Sequence, residues 1–136
     1  KEVIQINIKV LLIDDANLML IIQKKLWEER FGVIPDAVKS AEEGLVFLNS
    51  KNYDLIIVDL NMPGMKGFEF ISNVRNKGFK TPIIVLSAED STKAVVDCIT
   101  AGANQYILKP PEKEEYFKRI AGLIDFRNFM PPQNSA

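Results

Sequence analysis

The sequence contains no histidine. That absence excludes Ser-His-Asp and Cys-His catalysis, histidine metal ligands and service as a phosphohistidine donor. Its single cysteine, Cys98, can close no internal disulfide and build no cysteine metal site, which fits a reducing compartment. No apolar run approaches the stretch of about 20 residues that crosses a bilayer, and no signal-peptide pattern opens the chain, so membrane insertion is not expected. Neither sign of charge is in excess: 17 Lys and Arg against 18 Asp and Glu leave a net charge of −1. A chain so balanced lacks the basic surplus of a nucleic-acid binder, so direct nucleic-acid binding is not expected. Low-complexity segments are absent too. The first residue is Lys1 rather than Met, which raises the expectation of a fragment of a longer protein or a processed product.

What is present is an ordinary globular mixture, 136 residues with 47% hydrophobic and 26% charged side chains. That length suits one domain with a substantial core. Short apolar runs alternate with longer segments of helical period. Ile8 to Ile13, Val33 to Val38, Leu55 to Val58, Ile83 to Leu86 and Tyr106 to Leu108 read as five strands. Three of these runs are apolar without alternation, as in parallel strands covered on both faces. Between and after them lie five helical segments. The first carries Leu18, Ile22 and Leu26 on one stripe; the second opens with a Ser40–Glu43 capping box and turns Ala41, Leu45 and Leu48 inward. The third is expected to bury Phe68 and Ile71, the fourth Val95 and Cys98, and the fifth Phe117, Ile120 and Ile124. Gly32, Gly78 and Gly102 stand where helices should stop. Five β-α units in succession predict an α/β fold, a five-stranded parallel sheet with helices on both faces.

Parallel strands send all their C-terminal ends to one edge of the sheet. Asp14 and Asp15 close the first strand and Asp59 closes the third. For the strand order 2-1-3-4-5, the crevice between the first and third strands is where a ligand belongs. Carboxylates gathered there repel one another, and a hard divalent cation removes that penalty; an all-oxygen site with water positions suits Mg²⁺. Any one of these aspartates alone reads equally well as a cap on a neighbouring helix or loop. Three at one edge argue for a metal. Ser87 and Lys109 end the fourth and fifth strands at the same edge. Ser87 alone is more often a cap or turn residue, and Lys109 alone a solvated surface charge. Carboxylates, cation, hydroxyl and ammonium together form what a transferring phosphoryl group requires.

Asp14-Asp15, the run Asp59-Leu60-Asn61-Met62-Pro63-Gly64-Met65-Lys66-Gly67, then Ser87-Ala88-Glu89, then Tyr106-Ile107-Leu108-Lys109-Pro110 resemble the receiver domains of two-component response regulators. The resemblance runs from about Lys9 to Phe126, with every motif in the family's order. It implies a flavodoxin-like sheet with Asp59 as phosphoacceptor. Mg²⁺ would be bound by Asp15 and Asp59, by Asp14 through water, and by the backbone carbonyl of Asn61. Lys109 would hold the phosphate, Ser87 would move to hydrogen-bond it, and Tyr106 would turn inward as Ser87 moves. The Lys109-Pro110 peptide is similar to one the family holds cis.

By the same resemblance the donor is a phosphohistidine on a histidine kinase or a histidine phosphotransfer protein. The surface of the fourth helix, fifth strand and fifth helix would pass the signal to a downstream protein or output domain. Homodimerisation through it stays open. The chain would be a cytoplasmic switch that catalyses its own phosphorylation and dephosphorylation, not a turnover enzyme. Residues 1–128 would form the receiver and residues 129–136, with Pro131-Pro132, a linker or disordered tail. Pro111 departs from the family's usual apolar residue, and Lys66 from a position often acidic in relatives. A haloacid-dehalogenase-type phosphatase shares the aspartyl-phosphate chemistry, but its Asp-x-Asp motif is here Asp59-Leu60-Asn61. A flavin-binding module needs a phosphate-cradling loop after the first strand, where Asp14-Asp15-Ala16-Asn17 stands instead. The remaining alternative is a constitutive interaction domain on the same fold.

Overall fold

The structure, a computed structural model, describes residues 4–132. Five strands and five α-helices alternate along the chain: β1 (Val10–Ile13), α1 (Asn17–Phe31), β2 (Asp36–Val38), α2 (Ala41–Ser50), β3 (Leu55–Val58), α3 (Gly67–Asn76), β4 (Ile83–Ser87), α4 (Thr92–Ala101), β5 (Gln105–Leu108) and α5 (Lys113–Ala121), with a closing 3-10 helix (Phe126–Phe129). The strands form one parallel sheet in the order β2-β1-β3-β4-β5. This is the flavodoxin-like arrangement.

Successive strand residues point to opposite faces, so each strand feeds two cores. Leu12, Ile57, Leu86 and Ile107 meet α1 and α5, whereas Ile13, Val58 and Val85 meet the α2–α4 side. Each such side chain, fully buried, contributes about 1.5–3 kcal/mol. Two strands are shorter than their apolar runs. In Val33 to Val38 only Asp36–Val38 pairs, because Pro35 has no N–H to give a ladder. Ile6 and Ile8 are buried ahead of β1 but stand outside its pairing.

The apolar stripe of α1 differs from the expected one. Leu18 is 67% exposed, and the buried residues are Leu20, Gln23, Trp27 and Phe31. Trp27 decides the rotation. Its ring packs edge-on to Phe117 and Tyr116, and its Nε1 donates to the Tyr116 hydroxyl at 2.9 Å. That hydroxyl donates in turn to Gln23 Oε1 at 2.9 Å, which satisfies a buried amide oxygen. In α3 the inward residues are Phe70, Ile71 and Val74, and Phe68 is 46% exposed. Cys98 of α4 and Phe117, Ile120 and Ile124 at the fifth helix are buried as anticipated. Ser40 caps α2 by accepting from the Glu43 N–H, and Gly32, Gly78 and Gly102 sit at positive φ at or just past helix ends. Pro111 stands before α5 rather than in its first turn, since Glu112 is the cap and accepts from the Glu114 and Glu115 N–H groups.

The 3-10 helix packs against α1, with the Phe126 and Phe31 ring centroids 4.6 Å apart, and the Asn7 N–H donates to the Phe129 carbonyl at 2.7 Å. Of the tail expected over 129–136, residues 133–136 lie outside the described residues. At the far edge of the sheet, Arg119 Nη1 of α5 donates to the Tyr106 carbonyl at 3.3 Å and to Gln105 Oε1 at 2.9 Å. Among the described residues no helix is long and apolar enough to cross a membrane.

Candidate functional site

The C-terminal edge of the sheet brings the expected residues together. Asp59 follows β3, and its N–H donates to the Ile13 carbonyl at 2.9 Å, so the β1–β3 ladder itself fixes its backbone. The Lys109 N–H donates to the Ser87 carbonyl at 2.9 Å in the same way across β4 and β5. One carboxylate oxygen from each of Asp14, Asp15 and Asp59 lies within 4.8 Å of the others. Three hard oxygen donors at such separations fit a divalent cation such as Mg²⁺.

The three carboxylates are not alike. Asp14 is buried, and its Oδ1 accepts from the Ala16 N–H at 2.9 Å. Asp59 is 6% exposed. Burial raises its carboxyl above the ordinary aspartate value, Lys109 opposes that rise, and the charge on Asp14 adds to it. Asp15 is exposed and caps nothing, because the N-cap of α1 is Ala16 and makes no side-chain cap bond. The helix-cap reading of Asp15 therefore fails. Lys109 Nζ lies 2.8 Å from Asp14 Oδ2 and 3.5 Å from Asp59 Oδ2, a partial neutralisation of the acidic pair from the β5 side. The Lys109–Pro110 peptide is cis.

Ser87 and Tyr106 both engage the β4–α4 loop. Ser87 Oγ accepts from the Glu89 N–H at 3.2 Å, and the Tyr106 hydroxyl donates to the Glu89 carbonyl at 2.6 Å. Tyr106 is thus inward-facing here, only 8% exposed. The helix that follows is capped by Ser91, whose Oγ accepts from the Ala94 N–H, and not by Ser87. Asn61 is exposed in the β3–α3 loop. Lys66 Nζ donates to the Met62 carbonyl at 3.3 Å in that same loop. One contact there has no signal in the sequence: Glu42, a further acidic residue in a helix's first turn, accepts from the Met65 N–H at 3.1 Å.

Comparison with known proteins gives the same reading. The response regulator receiver domain model matches residues 10–121. The chain belongs to that family. Its relatives include the two-component response regulator PhoP of Pseudomonas aeruginosa, 35% identical over 111 residues, which cover 82% of this chain and 48% of that protein. A nitrate/nitrite response regulator protein homolog of Haemophilus influenzae is 38% identical, over 86% of this chain and 58% of that protein. The chain spans about half the length of these two relatives. Among solved structures, the Francisella response regulator 1452 receiver domain superposes with a TM-score of 0.79 at 32% identity, covering 86% of this chain and 96% of that one. A chain of the CheX–CheY–BeF3–Mg²⁺ complex from Borrelia burgdorferi gives 0.77 at 27% identity, covering 85% of this chain and 88% of that one. Membership places the receiver domain in two-component signal transduction.

Proposed function

We propose that the receiver domain takes a phosphoryl group from a phosphohistidine on a histidine kinase or phosphotransfer protein onto Asp59. The observation that carries this reading is the pocket itself: three converging carboxylates with one ammonium set between two of them. Asp14, Asp15, Asp59 and the Asn61 carbonyl would hold Mg²⁺, which supplies positive charge to the phosphoryl oxygens when bound. The Borrelia burgdorferi neighbour, solved with Mg²⁺, supports that assignment.

An Asp59 carboxylate oxygen attacks phosphorus as the nitrogen–phosphorus bond breaks, giving an acyl phosphate and a neutral histidine after protonation. No acid or base from the receiver is needed; catalysis is positioning and electrostatics. Lys109 moves its ammonium toward the added phosphate, which adds roughly one to two negative charges to the residue. Ser87 moves to donate its hydroxyl to a phosphate oxygen. Tyr106, already inward, follows the displaced loop, and the α4-β5-α5 surface changes shape for a downstream protein, an output domain or a second copy. Water attack on the acyl phosphate at the same site resets the switch. We read residues 1–128 as the receiver unit, working in the cytoplasm, and 129–136 as a linker or disordered tail.

The test is intact mass after incubation with Mg²⁺ and acetyl phosphate, for wild type and Asp59→Asn. A single phosphoryl gain that needs Mg²⁺ and vanishes in the variant is the expected result. No gain under any condition removes the phosphorylation reading and favours a constitutive interaction domain.

A further inference from the structure

The β3–α3 loop, residues 59–66, carries the Asn61 carbonyl and the phosphoacceptor on one stretch of backbone. Most of its hydrogen bonds are internal to it or come from α3: Gly67 N–H to the Leu60 carbonyl at 2.9 Å, Lys66 Nζ to the Met62 carbonyl, and Lys66 N–H to Glu69 Oε1 at 3.1 Å. The ladder bond of the Asp59 N–H anchors the loop's first residue to the sheet, and these bonds shape the rest of it. Beyond Asp59 itself, which Lys109 meets, one side chain from elsewhere in the fold bonds the loop's backbone. Glu42 Oε2, in the first turn of α2, accepts from the Met65 N–H at 3.1 Å.

The surrounding geometry is arranged for this contact. α2 lies close enough to α3 that a Cβ at Gly44 would stand 2.5 Å from Ile13 Cδ1 and 3.2 Å from Phe70 Cε1. That close approach brings Glu42, half a turn earlier, to the loop. On the loop side Gly64 has φ +80, a conformation that side chains disfavour, and a Cβ there would meet Glu42 Oε2 at 2.9 Å. Gly44 lets α2 approach the sheet and α3, and Gly64 clears the space beside the Glu42 carboxylate. The first turn of a helix also favours a negative side chain, and a carboxylate is a strong acceptor for a backbone amide.

Resting on the phosphoacceptor reading above, we infer that Glu42 is a positioning residue for the metal site: it clamps the Met65 amide and so holds the Asn61 carbonyl over Asp59. It acts through the loop backbone and touches neither metal nor phosphate. The expected size follows from outer-shell partners of metal ligands, whose loss weakens metal binding about tenfold or more.

The experiment is calorimetric titration of the full chain with Mg²⁺, alongside amide hydrogen exchange at Met65. Glu42→Ala should weaken Mg²⁺ binding about tenfold and speed Met65 exchange. Glu42→Gln keeps an accepting oxygen and should stay within about twofold of wild type. Glu43→Ala, which removes a neighbouring charge without touching the loop, should do the same. Unchanged affinity in Glu42→Ala overturns the positioning role alone. Equal losses in all three variants overturn it as well, in favour of simple charge. Wild-type protein that binds no Mg²⁺ overturns the metal site and the role of Glu42 together.

Discussion

Ser87 and Tyr106 hold one residue between them: Ser87 Oγ takes the Glu89 N–H at 3.2 Å, and the Tyr106 hydroxyl gives to the Glu89 carbonyl at 2.6 Å. The hydroxyl assigned to sense the phosphate therefore already accepts a loop N–H, a bond that leaves its own O–H free for a phosphate oxygen. Ser87→Ala removes the sensor and one of the two ties. Phosphoryl uptake should remain measurable by mass, while the amide shifts of α4 and β5 on phosphorylation should shrink. Abolished uptake would contradict the role given to the hydroxyl.

Tyr106→Phe removes the other tie and leaves the ring. One hydrogen bond to the loop disappears, a loss of about 1 kcal/mol. Amide exchange across Ala88–Asp90 should accelerate, with the centre of the sheet unaffected. Exchange rates equal to wild type would show that the hydroxyl does not restrain the loop.

Lys109 is the only cation within 4.0 Å of Asp14 and Asp59 among the described residues. Lys109→Ala leaves two buried carboxylates facing each other, and breaking such a pairing costs about 3 kcal/mol or more. The variant should melt well below wild type in EDTA and recover much of the difference in Mg²⁺. Its phosphoryl uptake should be slower by about a hundredfold, the scale of losing one charge-stabilising donor. A melting temperature indifferent to Mg²⁺ would sink the shared-charge account.

Asp59 gives a pH dependence. Its carboxyl titrates above the ordinary value of 3.8, first because of burial, so folding favours the neutral form. The stability this contributes is complete below that ordinary value and is lost as pH rises through the raised one. Without Mg²⁺, Asp59→Asn should therefore lack that loss and melt higher than wild type at neutral pH, by about 2–4 °C for each kcal/mol removed. With Mg²⁺ the order should narrow or reverse. Calorimetric melts at pH 4 and pH 7, each with and without Mg²⁺, decide it; an Asn variant less stable in EDTA at pH 7 would refute it.

The element order, the parallel sheet and the convergence of Asp14, Asp15, Asp59, Ser87 and Lys109 were legible in the sequence because strand direction alone determines them. Helix rotation was not. The run Leu18-Met19-Leu20-Ile21-Ile22 is apolar on every side, so periodicity cannot say which side faces the sheet. Trp27 and Phe31 settle it by size, and Gln23 joins them only because Tyr116, far along the chain, supplies a hydroxyl. Phe68 and Phe70 pose the same ambiguity two residues apart, with Phe70 buried in phase with Val74. Glu42 was invisible for another reason: its partner is a backbone amide, and a backbone amide has no letter.

Both rims of the sheet offer little to a further strand. On one side β2 is three residues long and preceded by Pro35, which offers a neighbour no N–H. On the other side the Tyr106 carbonyl is taken by Arg119, and its N–H by Gln105 Oε1 at 3.3 Å. A second chain approaching β5 as a sixth strand finds those groups already satisfied. Edge-to-edge stacking, the ordinary route by which exposed strands grow into aggregates, is disfavoured at these positions by one imino acid, one guanidinium and one side-chain amide.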